Sequence, residues 1–355
     1  MRIGIYDPYL DDNGGGEKYM MTIASLLSQG HDVSVFWDNT QDLISISKRF
    51  SLDMSSVKVV PNIFSPQKST WDRLIATSLY DVIIFLSDGS IPLVASKKLF
   101  IHVQQPFDAF DTSSFIGHLK QYRINKLFCN SEFTLSHIRN KIHCRKTVLY
   151  PPVGTHIKNV KKENIIIHVG RFRSNNMQNG DFKKQNVMVD MFRKMCDTKI
   201  KDWKFIMAVG LREEDKEAFA SMKKSVEGYP IEFYINMTNN QLWDMYNKAK
   251  IYWHASGFGE DLQKYPEYAE HFGISTVEAM SVGVVPVVIN AGGQKEIVTD
   301  GQNGYLWDSK EECIKKTFQL MQNSELLEKF SQSSQKRSKD FTLDIFKEKL
   351  LKIIS

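Results

Sequence analysis

The chain reads as an α/β protein built from two doubly wound parallel sheets in series. Three observations predict this. Short apolar runs of strand length alternate with polar or amphipathic helical stretches along most of the 355 residues. The alternation breaks once, at Tyr150-Pro151-Pro152, and a polar segment, 154–164, separates the two series; it carries Lys158, Lys161 and Lys162 against the single acid Glu163. The runs themselves, 284–289 for example, are nearly continuous apolar stretches, as strands covered by helices on both faces should be. The length suffices for two ordinary domains, expected at residues 1–153 and 154–340.

In order, the first series predicts strands at 2–6, 32–37, 57–60, 81–86, 99–104, 126–130 and 147–150. Its helices fall at about 17–28, 41–49 and 132–140. The second series predicts strands at 165–170, 203–210, 231–235, 251–254 and 284–289, with helices near 185–196, 213–227 and 240–249. A short helix over 275–281 opens on Ser275 and Thr276, residue types that cap helices, and Gly283 is its stop. The tail 343–354 is amphipathic and helical. Ligands of such sheets bind beyond the C-terminal strand ends, so two sheets facing each other would enclose one ligand in a cleft.

Composition narrows the class. A hydrophobic share of 42% and a charged share of 25% fit a globular protein. No apolar run approaches the ~20 residues of a spanning helix, and the polar start is no signal peptide. The four cysteines are scattered, without metal or disulfide spacing, so a cytoplasmic location is expected. A net charge of +5 suits anionic ligands or an anionic membrane surface, and no nucleic-acid signature accompanies it.

The chemistry concentrates in residues 268–288. Glu270 and Glu278 lie eight positions apart, with Phe272-Gly273 and the helix start between them. The first N–H groups of a helix lack partners and its dipole favours anions, so this end can cradle a phosphate. Two flanking carboxylates can accept hydrogen bonds from hydroxyls. A sugar nucleotide offers both features. Arg171 follows the strand 165–170, and Lys183 and Lys184 follow a polar loop; Arg171 and Lys184 are the cations expected at the diphosphate. No Asp-x-Asp occurs, so fixed cations rather than a metal are expected to handle it. In the first series, Gly14-Gly15-Gly16 opens the first helix and lets a substrate approach the backbone. His102, near a strand end and before Gln104-Gln105-Pro106, is a candidate at the mouth of the first sheet.

With Gly14 to Glu17, His102, Val169-Gly170-Arg171-Phe172, Lys183-Lys184-Gln185, Glu270-x7-Glu278, Gly292-Gly293-x-x-Glu296 and Gly301-x-x-Gly304 in this order, the chain resembles the retaining GT-B glycosyltransferases of family 4. Ile251 to Ala255 and Asn130-Ser131-x-Phe133-Thr134 are similar to the asparagine-linked-glycan mannosyltransferase subgroup. The resemblance implies a GT-B fold with the last helix, 341–355, returning to the first domain. It gives Glu278 the nucleotide ribose and Glu270 the transferred sugar. It implies that His271, Phe272, Gly273, Ile274 and Ser275 line the donor and offer backbone N–H groups to its phosphates. Arg171 and Lys184 would stabilise the departing diphosphate, and His102 with Gly15 and Gly16 would line the donor from the first domain. His271 departs from the family's usual glycine, and the insertion 174–182 leaves Lys183 against Lys184 a judgement.

The expected activity is therefore retaining, metal-independent hexosyl transfer from a nucleotide-diphosphate sugar to a glycan or lipid-linked acceptor, without a cofactor. GDP-mannose is the first expectation for the donor and a UDP-sugar the next. Basic residues between 120 and 146 offer peripheral contact with an anionic membrane. The alternatives on the same plan are a sugar-nucleotide epimerase and a non-catalytic nucleotide-sugar-binding subunit.

Overall fold

Residues 1–12, 14–107, 109–111, 114–138, 142–174, 181–198 and 200–355 are described, from a computed structural model of the chain. The chain divides into two units, Met1–Pro152 with Leu343–Ser355, and Val153–Thr342.

The first unit runs β1 (Arg2–Tyr6), α1 (Gly15–Ser28), β2 (Asp32–Phe36), α2 (Thr40–Phe50), β3 (Val57–Val60), α3 (Thr70–Ser78), β4 (Val82–Leu86), β5 (Lys98–Val103), α4 (Phe115–Tyr122), β6 (Ile124–Cys129), α5 (Glu132–Ile138) and β7 (Arg145–Val148). Its seven strands are all parallel, in the order β3-β2-β1-β4-β5-β6-β7. Central strands such as β4, Val-Ile-Ile-Phe-Leu, are buried throughout, because helices cover both faces. The order reverses after β3. Right-handed crossovers then put α1 and α2 on one face and α3, α4 and α5 on the other. The two apolar clusters agree. Met20, Ile23 and Leu27 of α1 pack with Leu43 and Ile46 of α2, whereas Leu135 and Ile138 of α5 join Ile83, Leu99 and Ile101.

The second unit runs β8 (Ile165–Arg171), α6 (Gln185–Asp197), β9 (Lys204–Gly210), α7 (Lys216–Ser225), β10 (Ile231–Ile235), α8 (Asn239–Lys248), β11 (Ile251–His254), α9 (Ile274–Ser281), β12 (Val285–Ile289), α10 (Gln294–Ile297), β13 (Tyr305–Trp307), α11 (Lys310–Gln322) and α12 (Ser324–Ser338). Its six parallel strands are ordered β10-β9-β8-β11-β12-β13. The aromatic core includes Trp253, Phe192 and Phe205.

The chain ends in α13 (Leu343–Ile354), which belongs to the first unit. Its Phe346, Leu350, Ile353 and Ile354 join the α1 cluster, with Phe346 edge-on to Tyr19 at 5.3 Å.

Both sheets of the expected doubly wound fold are present. Several elements exceed the expectation. The sequence reading placed nothing at α3, α4, α11, α12 or β13. It expected Ser275 and Thr276 to cap the helix after Glu270. That helix begins at Ile274, behind Gly273 at φ 114°, a left-handed conformation that glycine adopts without strain. Ser275 and Thr276 fall inside the helix rather than at its cap, and the Ser275 hydroxyl hydrogen-bonds Tyr252 Oη at 2.7 Å.

Candidate functional site

The candidate site gathers at the C-terminal edge of the second unit's sheet, where strands β8 and β11 end side by side. β8 ends in Gly170-Arg171, with Arg171 exposed and Phe172 tucked into the core. Residues 175–180 of the expected insertion lie outside the described residues. The chain resumes at Asp181, whose carboxylate accepts hydrogen bonds from the backbone N–H groups of Gln185 and Asn186, both at 2.8 Å. That cap starts α6 and sets the two lysines just before it.

The lysines point at different partners. Lys184 takes a left-handed backbone, φ 52°, and its ammonium pairs with Glu260, both side chains nearly buried. Lys183 Nζ reaches Glu270 Oε2 at 2.7 Å. The same Oε2 accepts from His254 Nε2 at 2.9 Å. Burial pushes the Glu270 carboxyl up, but Lys183 and His254 outweigh it and hold it well below the usual carboxylate range. His254 ends β11 and is buried. Burial pulls its imidazole down against the pull of Glu270, so the neutral ring donates through Nε2. Behind it His168 lies 6.1 Å away, ring to ring. His168 meets the Trp253 carbonyl through Nδ1 at 2.9 Å and accepts from the Gln185 amide at Nε2, 3.3 Å. Burial drops His168 to about 3, so it too is neutral.

Glu270 is fixed from the backbone side as well. Gly293 N–H donates to the Glu270 carbonyl at 2.7 Å. A Cβ at Gly292 would meet that carbonyl oxygen at 2.3 Å, and one at Gly293 would meet His271 O and Phe272 Cα at 2.5 Å. The glycine pair is therefore a close backbone contact that admits no side chain. The opening turn of α9 follows. Phe272 is buried edge-on to Phe341 at 5.4 Å and offers only its backbone. His271 turns back to the Glu267 carbonyl at 3.1 Å. Glu278, one turn into α9, accepts from Tyr246 Oη at 3.4 Å; burial holds the Tyr246 phenol well above its usual range, so it stays a donor.

In the first unit, Glu17 accepts from the Gly14 N–H and so opens α1. Gln104 Nε2 donates to the Gly16 carbonyl at 3.1 Å, and a Cβ on Gly16 would strike Gln104 Oε1 at 2.3 Å. Gly15 opens the same helix. His102 is wholly buried, its ring stacked on Tyr19 and on Phe128, each at 4.5 Å. Its Nδ1 meets the Phe128 carbonyl at 3.0 Å, and burial lowers it to about 3. Asp7, after β1, is buried with its Oδ2 unpartnered; burial, then Glu17, raises its carboxyl to about 7.

Sequence reasoning brought Glu270, Glu278, Arg171 and residues 271–275 to one sheet edge. It missed His254, His168, Tyr246, Tyr252 and Glu260. His168, Tyr246 and Tyr252 sit on strands and a helix that read as core, Glu260 lies in the loop after β11, and His254, a titratable residue at a strand end, carried a local signal. Among the described residues no three His, Cys, Asp or Glu side chains gather as a metal site requires.

Two Rossmann-like parallel sheets in one chain match the GT-B glycosyltransferase fold, as the similar solved structures bear out. The profile of the family described as glycosyl transferases group 1 matches residues 156–337, and the chain belongs to that family. The chain is similar to the GDP-Man:Man(3)GlcNAc(2)-PP-Dol alpha-1,2-mannosyltransferase of Xenopus laevis, 29% identical over 204 residues, 52% of this chain and 38% of that protein. The Homo sapiens enzyme of the same name is 26% identical over 207 residues, covering 52% and 38%. The matches thus span well under half the length of these relatives. Among solved structures, a glycosyltransferase of Rickettsia africae ESF-5 superposes with a TM-score of 0.75 at 15% identity, over 99% of this chain and 97% of that one. Anabaena HepE, in complex with UDP and glucose, superposes with a TM-score of 0.69 at 15% identity, over 100% and 99%.

Proposed function

We propose that the chain is a retaining hexosyltransferase of family 4 that takes GDP-mannose as donor, works without a metal or cofactor, and glycosylates a glycan or lipid-linked acceptor from the cytoplasmic side. The observation that carries the reading is the Glu270 carboxylate held by Lys183 and His254 at the mouth of α9. An ionised, immobile carboxylate beside helix N–H groups suits a sugar's hydroxyls on one side and its diphosphate on the other. The mannosyl donor is favoured by the printed activity of the similar dolichol-linked enzymes.

In the proposed reaction the bond between the anomeric carbon and the β-phosphate oxygen breaks. The acceptor oxygen bonds to that carbon on the same face, and its proton passes to the departing nucleoside diphosphate. Charge builds on the leaving oxygen, so cations aimed there act more strongly in the transition state than in the ground state. Arg171 and Lys183 take that role; each lysine holds a carboxylate, and Lys183 is assigned it over Lys184 because its partner, Glu270, is the residue placed at the transferred sugar. Glu278 takes the ribose, with Tyr246 orienting it.

The test is nucleotide release from GDP-mannose, UDP-glucose and UDP-N-acetylglucosamine, with and without chelator, over a panel of acceptors. Release from GDP-mannose that survives chelator is expected. Failure with every donor, or dependence on added metal, would overturn the reading.

A further inference from the structure

Helices α3 and α4 of the first unit carry their apolar stripes on the outside. On α3 and its C-cap, Trp71, Ile75 and Leu79 recur every four residues, and on α4 Phe115, Ile116, Leu119 and Tyr122 cover one side; all seven are between 51% and 85% exposed. The side of each helix that turns inward is small: Thr77 is the buried residue of α3 and Gly117 that of α4. At about 100° per residue these lie opposite the stripes, so the amphipathicity is inverted relative to a helix that packs on its own sheet. The seven make up nearly half of the fifteen exposed large hydrophobics among the described residues. The crossover handedness puts both helices on the same face of the sheet. A patch of this kind marks an interaction surface.

We infer that this face docks on an anionic phospholipid bilayer. Charge is the first argument for that occupant. From residue 68 to residue 73 the sequence holds Lys68 and Arg73 against Asp72, and from residue 112 to residue 123 it holds Lys120 and Arg123 and no acid. Lys120, half-buried, and Arg123, exposed, flank the α4 stripe directly. Chemistry is the second. Trp71, Phe115 and Tyr122 are the side chains that settle at a bilayer interface, and a basic helix with an aromatic and aliphatic stripe lies in that plane. Asp72 and Asp111 are the acids beside the stripes, and they leave the excess positive. Among the described residues no helix is long and apolar enough to cross a membrane, and the contact inferred here is a peripheral one made by this face. The inference deepens the proposed lipid-linked acceptor and rests on that reading for its purpose, but not for its test.

The experiment is flotation of the full chain with vesicles of phosphatidylcholine alone and of phosphatidylcholine with phosphatidylglycerol, at low and high salt. Wild type should float with the anionic vesicles and release as salt rises. Two double variants, Trp71→Ser with Ile75→Ser and Phe115→Ser with Leu119→Ser, remove exposed side chains, so the fold is expected to persist, which circular dichroism checks. Each should lower the vesicle-bound fraction about tenfold. GDP-mannose binding in vesicle-free buffer should stay unchanged in both. Vesicle binding without donor binding would leave the docking face standing and remove the proposed donor. No flotation of wild type, or flotation indifferent to both variants, would overturn the inference. So would sedimentation showing a wild-type dimer that the same substitutions disperse, since the stripes would then belong to a second copy.

Discussion

Lys183 Nζ stands 2.7 Å from Glu270 Oε2, while its neighbour Lys184 is bonded to Glu260. Adjacent residues of one type thus hold different posts, because the left-handed backbone at Lys184 turns the two side chains apart. Lys183→Ala should lower the rate of nucleotide release ~10²-fold, and because Glu270 keeps His254 as a partner its melting temperature should fall less than that of Lys184→Ala. Lys184→Ala should do the opposite. It strips the partner from a nearly buried carboxylate and should cost about 3 kcal/mol of stability, read by chemical denaturation. Equal kinetic damage from the two variants would sink the assignment.

His254 touches Glu270 rather than any ligand position, so its effect should be one of positioning. His254→Gln keeps an N–H donor within reach of Oε2, whereas His254→Ala keeps none. Alanine should lower kcat about tenfold, with glutamine restoring most of it, and the KM for donor should rise in the alanine variant alone. A merely structural histidine would show equal losses in melting temperature and no rescue in kcat.

The sheets were legible in the sequence because nearly every strand is an apolar run bounded by polar turns, and β4 and β12 are buried throughout as such runs predict. The Glu270–Glu278 spacing and the glycine between them were legible for the same reason: they are local. The choice between Lys183 and Lys184 was not, since it depends on a backbone φ at Lys184 and on Glu260, 76 positions away. His254 was hidden because a strand-end histidine reads alike whether it meets a carbonyl, as His102 does, or a carboxylate. Helices α3 and α4 escaped because the rule that apolar stripes face the core fails for them.

Gly293 has no room for a methyl group: the obstacles, His271 O and Phe272 Cα at 2.5 Å, are backbone and cannot swing away. Gly293→Ala should destabilise the protein by roughly 2 kcal/mol and displace the Glu270 loop, so donor binding should weaken along with melting temperature. Gly30→Ala is the control. A Cβ there meets nothing within 4 Å, and the variant should melt with wild type and bind donor normally.

Asp7 supplies a pH signature confined to the first unit. Burial, with Glu17 adding to it, raises its carboxyl from 3.8 to about 7 in the folded chain. The unfolded chain then releases this proton near pH 4, while the folded chain keeps it until about pH 7. Between those values the native state binds more protons than the unfolded one, so stability falls as pH rises and levels off above pH 7. The unpartnered Oδ2 fits a carboxyl that carries its proton in the folded state. Asp7→Asn mimics that protonated form and removes the titration. Its unfolding free energy should match wild type near pH 4 and exceed it at pH 8, by up to roughly 4 kcal/mol at about 1.4 kcal/mol per pKa unit. Denaturation midpoints for both proteins across this range are the measurement, and a pH-independent difference between them would remove Asp7 as the group responsible.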